Sequence, residues 1–228
     1  MSELVQLTAK DGHNLSAYVA RPKGEAIGAI VVIQEIFGVN AHIRTIADRL
    51  AGEGFLAVAP ALFDRIERGV ELKYEGDDMK RAYELMQKLK PETALQDIAA
   101  AYELAEGAGK GVGVVGFCYG GLMTWLTATR GEGLKMQPAC CVGYYPGGIG
   151  NFATEEPSCP VMLHFGGADT HIGKEQIEAV RTAHPEVEIF VYEGAQHGFH
   201  CDARASYDPK SAAVAWPRTI EFFKTHLA

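Results

Sequence analysis

Nothing in this chain is long and apolar enough to cross a bilayer: the longest apolar stretch, residues 26–33, falls far short of the roughly 20 residues a spanning helix needs. Residues 1–12 hold no basic segment followed by an apolar run, so no leader is indicated, and a soluble, cytoplasmic protein with no membrane partner is expected. A cysteine framework is also missing. The five cysteines, Cys118, Cys140, Cys141, Cys159 and Cys201, are odd in number and lack C-x-x-C spacing, which argues against both a disulfide scaffold and a zinc ribbon. Positive charge is scarce. The 21 Lys and Arg against 29 Asp and Glu leave a net charge of −8, and the basic residues are scattered rather than striped, so no nucleic acid partner is expected.

The chain has no internal repeat, low-complexity tract or linker, and its 228 residues, 47% of them hydrophobic, suit one α/β domain over 1–228 with a large core. Residues 5–7 and 15–20 flank the turn Lys10-Asp11-Gly12, which predicts an N-terminal antiparallel hairpin. Short runs rich in apolar or β-branched residues follow at 27–33, 55–59, 111–115, 139–144, 161–165 and 187–192. Helical periodicity falls between them at 42–51, 77–89, 92–105, 122–129 and 173–183, with 211–226 closing the chain. That alternation predicts a mostly parallel central sheet with helices on both faces. In such a sheet functional residues sit on loops at the carboxyl ends of strands, which directs attention to Glu35, Cys118, Asp169 and His197.

Cys118 is the most informative of the four. It lies at the centre of Gly116-Phe117-Cys118-Tyr119-Gly120-Gly121, a G-x-C-x-G turn between a strand and a helix. In α/β-hydrolases the same turn carries G-x-S-x-G, because the nucleophile occupies a sharp bend whose neighbours leave no room for a Cβ. A thiol suits this place, since its ordinary pKa of about 8.5 is lowered by the positive end of a helix. Asp169 leaves a buried strand through Phe165-Gly166-Gly167-Ala168, and His197 lies in Gly194-Ala195-Gln196-His197-Gly198-Phe199. One helix and one strand separate them, so a right-handed crossover places their loops side by side, and the order Cys, Asp, His is the hydrolase order. His164, His171 and His200 are the neighbouring rivals. Acyl transfer also needs two donors aimed at the oxyanion, and the backbone N–H groups of Tyr119 and Ile36 stand where they are required. Glu35 is an anomaly in an apolar segment. A carboxylate beside the thiol opposes its ionisation by like-charge repulsion.

Gln34-Glu35-Ile36-Phe37-Gly38-Val39-Asn40, the Cys118 turn, the exit at 167–169 and the segment 194–199 together resemble the dienelactone hydrolases, also called carboxymethylenebutenolidases, over essentially the whole chain. The resemblance implies an α/β-hydrolase fold, a triad of Cys118, Asp169 and His197, and no metal or organic cofactor. It also implies that Glu35 holds the resting thiol and swings on substrate binding to take its proton. The implied substrate is a small ester or lactone, handled by a monomer or weak homodimer. Members that open dienelactone bind its carboxylate with two arginines, and those positions fall on Met79 and Cys201 here. Arg81 and Arg204 lie near but out of register, and two residues along a helix turn a side chain by roughly 200°. Loss of both guanidinium groups is therefore expected, with Tyr207 a nearby polar residue. Phe37, Tyr83, Tyr144, Tyr145 and Phe199 are candidates to line an apolar substrate pocket. Two alternatives stand beside this reading. One is a zinc hydrolase built from His197, His200 and Cys201 with Asp169 or His171; the other is a catalytically silent binding or thiol redox-sensing module on the same fold.

Overall fold

The alternation of apolar runs and helical segments builds an eight-stranded sheet, seen in a computed structural model that describes residues 1–108 and 110–227. The strands are β1 (Ser2–Thr8), β2 (Asn14–Ala20), β3 (Gly28–Ile33), β4 (Phe55–Pro60), β5 (Val112–Phe117), β6 (Cys140–Tyr144), β7 (Val161–Gly166) and β8 (Glu188–Tyr192). Their order across the sheet is β1-β2-β4-β3-β5-β6-β7-β8. β1 and β2 form the expected antiparallel hairpin, and β2 joins β4 antiparallel. All later pairings are parallel, as helical crossovers require.

Helices α1 (Ala41–Gly52), α2 (Asp77–Lys88), α3 (Pro91–Glu106), α4 (Tyr119–Arg130), α5 (Lys174–Ala183) and α6 (Pro209–Leu227) connect and cover the strands. Every residue of β3, β4, β5, β6 and β7 is buried, and because side chains alternate across a strand, both faces of the sheet centre must be covered. The edge strands differ. β1 is mostly exposed and β8 half so, because each has a neighbouring strand on one side only. The amphipathic pattern of α1 places Ile43, Ile46, Ala47 and Leu50 on its buried face, and Asn40 caps it by accepting from the Ile43 N–H at 3.3 Å.

One boundary departs from the sequence reading. Helix α4 begins at Tyr119 rather than near 122, because Gly120 and Gly121 carry no side-chain signal of periodicity. Helix α6 runs through Pro217, a residue that ordinarily interrupts a helix.

Candidate active site

Cys118 occupies the single-residue corner between β5 and α4. Its φ of 54° lies in the left-handed region, where a non-glycine residue is strained, and it is held there by hydrogen bonds at both ends. Its N–H donates to the Tyr144 carbonyl at 3.0 Å, and its carbonyl accepts from Leu122 N–H at 3.1 Å. The corner is this tight because the end of β3 lies against the first turn of α4: a Cβ at Gly120 would meet the Ile33 carbonyl oxygen at 2.3 Å.

The loops after β7 and β8 are tied together by Gly167 N–H donating to Tyr192 O at 2.7 Å and Ala168 N–H donating to Ala195 O at 2.9 Å. That zipper brings Asp169 and His197 side by side. His197 Nδ1 lies 2.7 Å from Asp169 Oδ2, while Asp169 Oδ1 accepts the backbone N–H groups of His171 at 2.8 Å and Ile172 at 3.2 Å. Burial would raise the Asp169 pKa, but His197 and those two N–H groups hold it below the ordinary carboxylate value. Burial would likewise lower His197, yet the Cys118 sulfur and the Asp169 carboxylate outweigh it and push the imidazole up to about 10.

Above these groups is a small cavity of about 170 Å³. Cys118, His171 and His197 reach it from one side, and Ile36, Phe37, Met79, Tyr83 and Met86 supply its apolar wall. The last three share one face of α2, spaced at i, i+4 and i+7. Ile36 lies on the turn after β3 and Tyr119 opens α4; among the described residues, neither backbone N–H donates to a backbone acceptor. Tyr119 is at a helix start, where the first donors have no intrahelical partner.

The structure corrects three expectations. Glu35 is wholly buried, and its side chain is bonded to Arg204 Nη1 at 3.1 Å instead of to the thiol. Arg204 is the residue that sequence register missed: its guanidinium lines the cavity, 5.7 Å from the centre of the Phe37 ring and 5.5 Å from that of Tyr74. The chain gets there through successive tight turns between His197 and Asp208, and Gly198 makes room, since a Cβ there would meet Arg204 Nη1 at 2.6 Å on a backbone with φ of 78°. One guanidinium therefore remains, although Arg81 is paired on the surface with Glu67, Cys201 is buried, and exposed Tyr207 lies outside the cavity lining. The third correction concerns the aromatics. Phe37 and Tyr83 line the cavity, whereas Tyr144, Tyr145 and Phe199 are wholly buried beneath it. Tyr145 braces the imidazole edge-on, with 5.1 Å between ring centres.

The rival histidines are accounted for. His164 is inside β7, bonded to Tyr192 and Thr219 and pushed by burial down to about 3. His200 is stacked on Phe117 and Trp216 in the core, and burial holds it well below its ordinary value. His171 stands beside His197, with 5.1 Å between ring centres. The zinc set of His197, His200 and Cys201 with Asp169 or His171 does not converge to ligand spacing among the described residues.

The sequence profile of the dienelactone hydrolase family matches residues 15–227. A carboxymethylenebutenolidase of Pseudomonas putida is 32% identical, with 97% of this chain and 96% of the relative covered. A Synechocystis sp. protein that carries the same name provisionally is 36% identical, covering 93% and 92%. A solved Klebsiella pneumoniae structure, provisionally named a dienelactone hydrolase, superposes with a TM-score of 0.83 at 32% identity and 98% coverage of both chains.

Proposed function

Because this chain belongs to the dienelactone hydrolase family, we propose that it cleaves small lactones or esters through an acyl-enzyme on Cys118. The observation that carries this reading is the His197 imidazole, bonded to Asp169 through Nδ1 and facing, together with Cys118, one small cavity. Asp169 fixes the ring with Nδ1 toward itself, which leaves Nε2 for the sulfur and the substrate.

In the first half-reaction the Cys118 sulfur attacks the carbonyl carbon, and the Tyr119 and Ile36 N–H groups receive the developing oxyanion. The carbon–oxygen bond to the leaving group breaks, and His197 delivers its proton to that oxygen. Water then adds to the thioester with His197 as base, the carbon–sulfur bond breaks, and the acid product leaves. Glu35, tied to Arg204 in the resting protein, takes the thiol proton when a substrate displaces it from that guanidinium, and returns it to the sulfur once the acid product has left. The cavity volume of about 170 Å³ is below that of drug-sized pockets and fits a small, largely apolar substrate, with Arg204 as its cationic contact.

The test is hydrolysis of aryl acetates and enol lactones by parent and Cys118→Ala protein. A fall in kcat/KM of at least about a thousandfold with an unchanged circular dichroism spectrum is expected. Undiminished turnover in that variant excludes the mechanism, and rapid alkylation of Cys118 with no ester turnover in the parent would favour the silent thiol module.

A further inference from the structure

Glu35, His42 and Cys201 come from three separate places, the loop after β3, the first turn of α1 and the loop after β8, and their ligating atoms all lie within 4.8 Å of one another. All three residues are buried, Glu35 and Cys201 completely and His42 to 6% exposure. Buried polar atoms ordinarily have partners, yet among the described residues Glu35 Oε2 and His42 Nε2 have none. Of the other atoms, Glu35 Oε1 accepts from Arg204 Nη1 at 3.1 Å, and His42 Nδ1 faces the exposed Asp202 Oδ1 at 3.7 Å, beyond hydrogen-bond length. An imidazole with a carboxylate at one nitrogen and nothing at the other has the arrangement seen in metal-ligating histidines, where the outer carboxylate sets the tautomer and orientation.

We propose that Glu35, His42 and Cys201 form a binding site for a zinc-class divalent cation, with Glu35 Oε2, His42 Nε2 and Cys201 Sγ as ligands. A thiolate, an imidazole and a carboxylate together select a borderline-soft ion over magnesium or calcium, which take oxygen ligands. Binding replaces the Cys201 S–H bond with a sulfur–metal bond and releases the proton to solvent. Of the three residues, His42 borders a solvent cleft. His42, Asn40, Tyr74 and Ala203 line a cleft of about 470 Å³ separate from the one over Cys118, and Glu71 and Glu75 against Lys73 leave its wall with an acidic excess. Arg204 keeps Oε1 of Glu35 and leaves the other oxygen for the ion. The site shares Glu35 with the hydrolytic reading but neither Cys118 nor His197, so metal uptake can be measured apart from ester turnover.

The experiment uses full-length Cys118→Ala protein, so that a metal held by the Cys118 sulfur is not counted. Zn²⁺ is titrated in competition with a chromophoric chelator, and Co²⁺ is added separately to read the thiolate-to-cobalt charge-transfer band. One equivalent of metal and that band are expected. Adding Cys201→Ala should abolish the band and weaken Zn²⁺ binding by about a hundredfold or more, while Asp202→Asn, at an exposed position, should weaken it by about tenfold. If the double variant fails to fold, His42→Gln serves instead, with loss of the Zn²⁺ affinity as readout. No stoichiometric uptake by Cys118→Ala protein, or a band and affinity untouched by removal of Cys201 or His42, overturns the proposal. Esterase failure in the parent would bear only on the Cys118 reading.

Discussion

Two partly buried imidazole–carboxylate pairs of nearly equal length have different neighbours. His197 lies 2.7 Å from Asp169, and His13, at the hairpin turn, lies 2.9 Å from Asp97 on α3. Asp97 is fully occupied: Arg65 donates to it through Nε at 2.6 Å and Nη2 at 2.9 Å, and the same guanidinium reaches Asp11 at 2.8 Å. Burial raises the Asp97 pKa even with the guanidinium beside it, whereas Asp169 is held low. The other side of the His197 ring has a sulfur and an open cavity. A His–Asp contact is therefore not in itself a sign of catalysis. What distinguishes the two is whether the imidazole faces a sulfur and space for a substrate, or whether a guanidinium has closed the network into a structural staple.

The largest contrast should come from removing each carboxylate's charge. Asp169→Asn is expected to lower kcat/KM by about ten-thousandfold in an ester assay, because the wrong tautomer then faces the sulfur, with little loss of folded protein. Asp97→Ala should do the reverse. It leaves Arg65 without its main buried partner and is expected to cost about 3 kcal/mol in urea unfolding while kcat/KM stays unchanged. If Asp97→Ala instead removed activity at full stability, the distinction between the pairs would fail.

A pH series sharpens the same comparison. The folded-state pKa of His197 is raised to about 10, above an unfolded value of about 6.5, so the folded protein holds this proton more tightly. The associated stability is fully present below about pH 6.5 and is lost as pH rises through about 10. Melting temperature should fall across that window, and Cys118→Ala, which removes the foremost group raising the pKa, should flatten the slope. The smallest expected effect is at the cavity rim. Tyr83 is 42% exposed, so Tyr83→Ala should shift KM a few-fold and change stability by no more than about 0.5 kcal/mol.

Most of the framework was legible because local sequence carries its physical cause. Apolar β-branched runs marked all six later strands to within a residue or two, and Lys10-Asp11-Gly12 marked the hairpin turn. Glu35, Cys118, Asp169 and His197 all lie after strands, a placement that follows from sheet polarity alone. Other features could not be seen that way. Arg204 reaches the cavity through a series of tight turns, so its distance from His197 along the chain says little about its distance in space. Tyr144, Tyr145 and Phe199 have the composition of pocket aromatics, and only packing shows that they are beneath the site.

The amino-acid order by itself determined which segments become strands and helices, where the chain must bend at Cys118, and which family it belongs to, since propensity, periodicity and steric demand at a corner act over a few residues. The tertiary structure alone decided the partnerships: Glu35 with Arg204, His13 with Asp97, and the gathering of Glu35, His42 and Cys201. These partnerships depend on burial and on distances between residues remote in the chain, and such quantities exist only once the chain is folded.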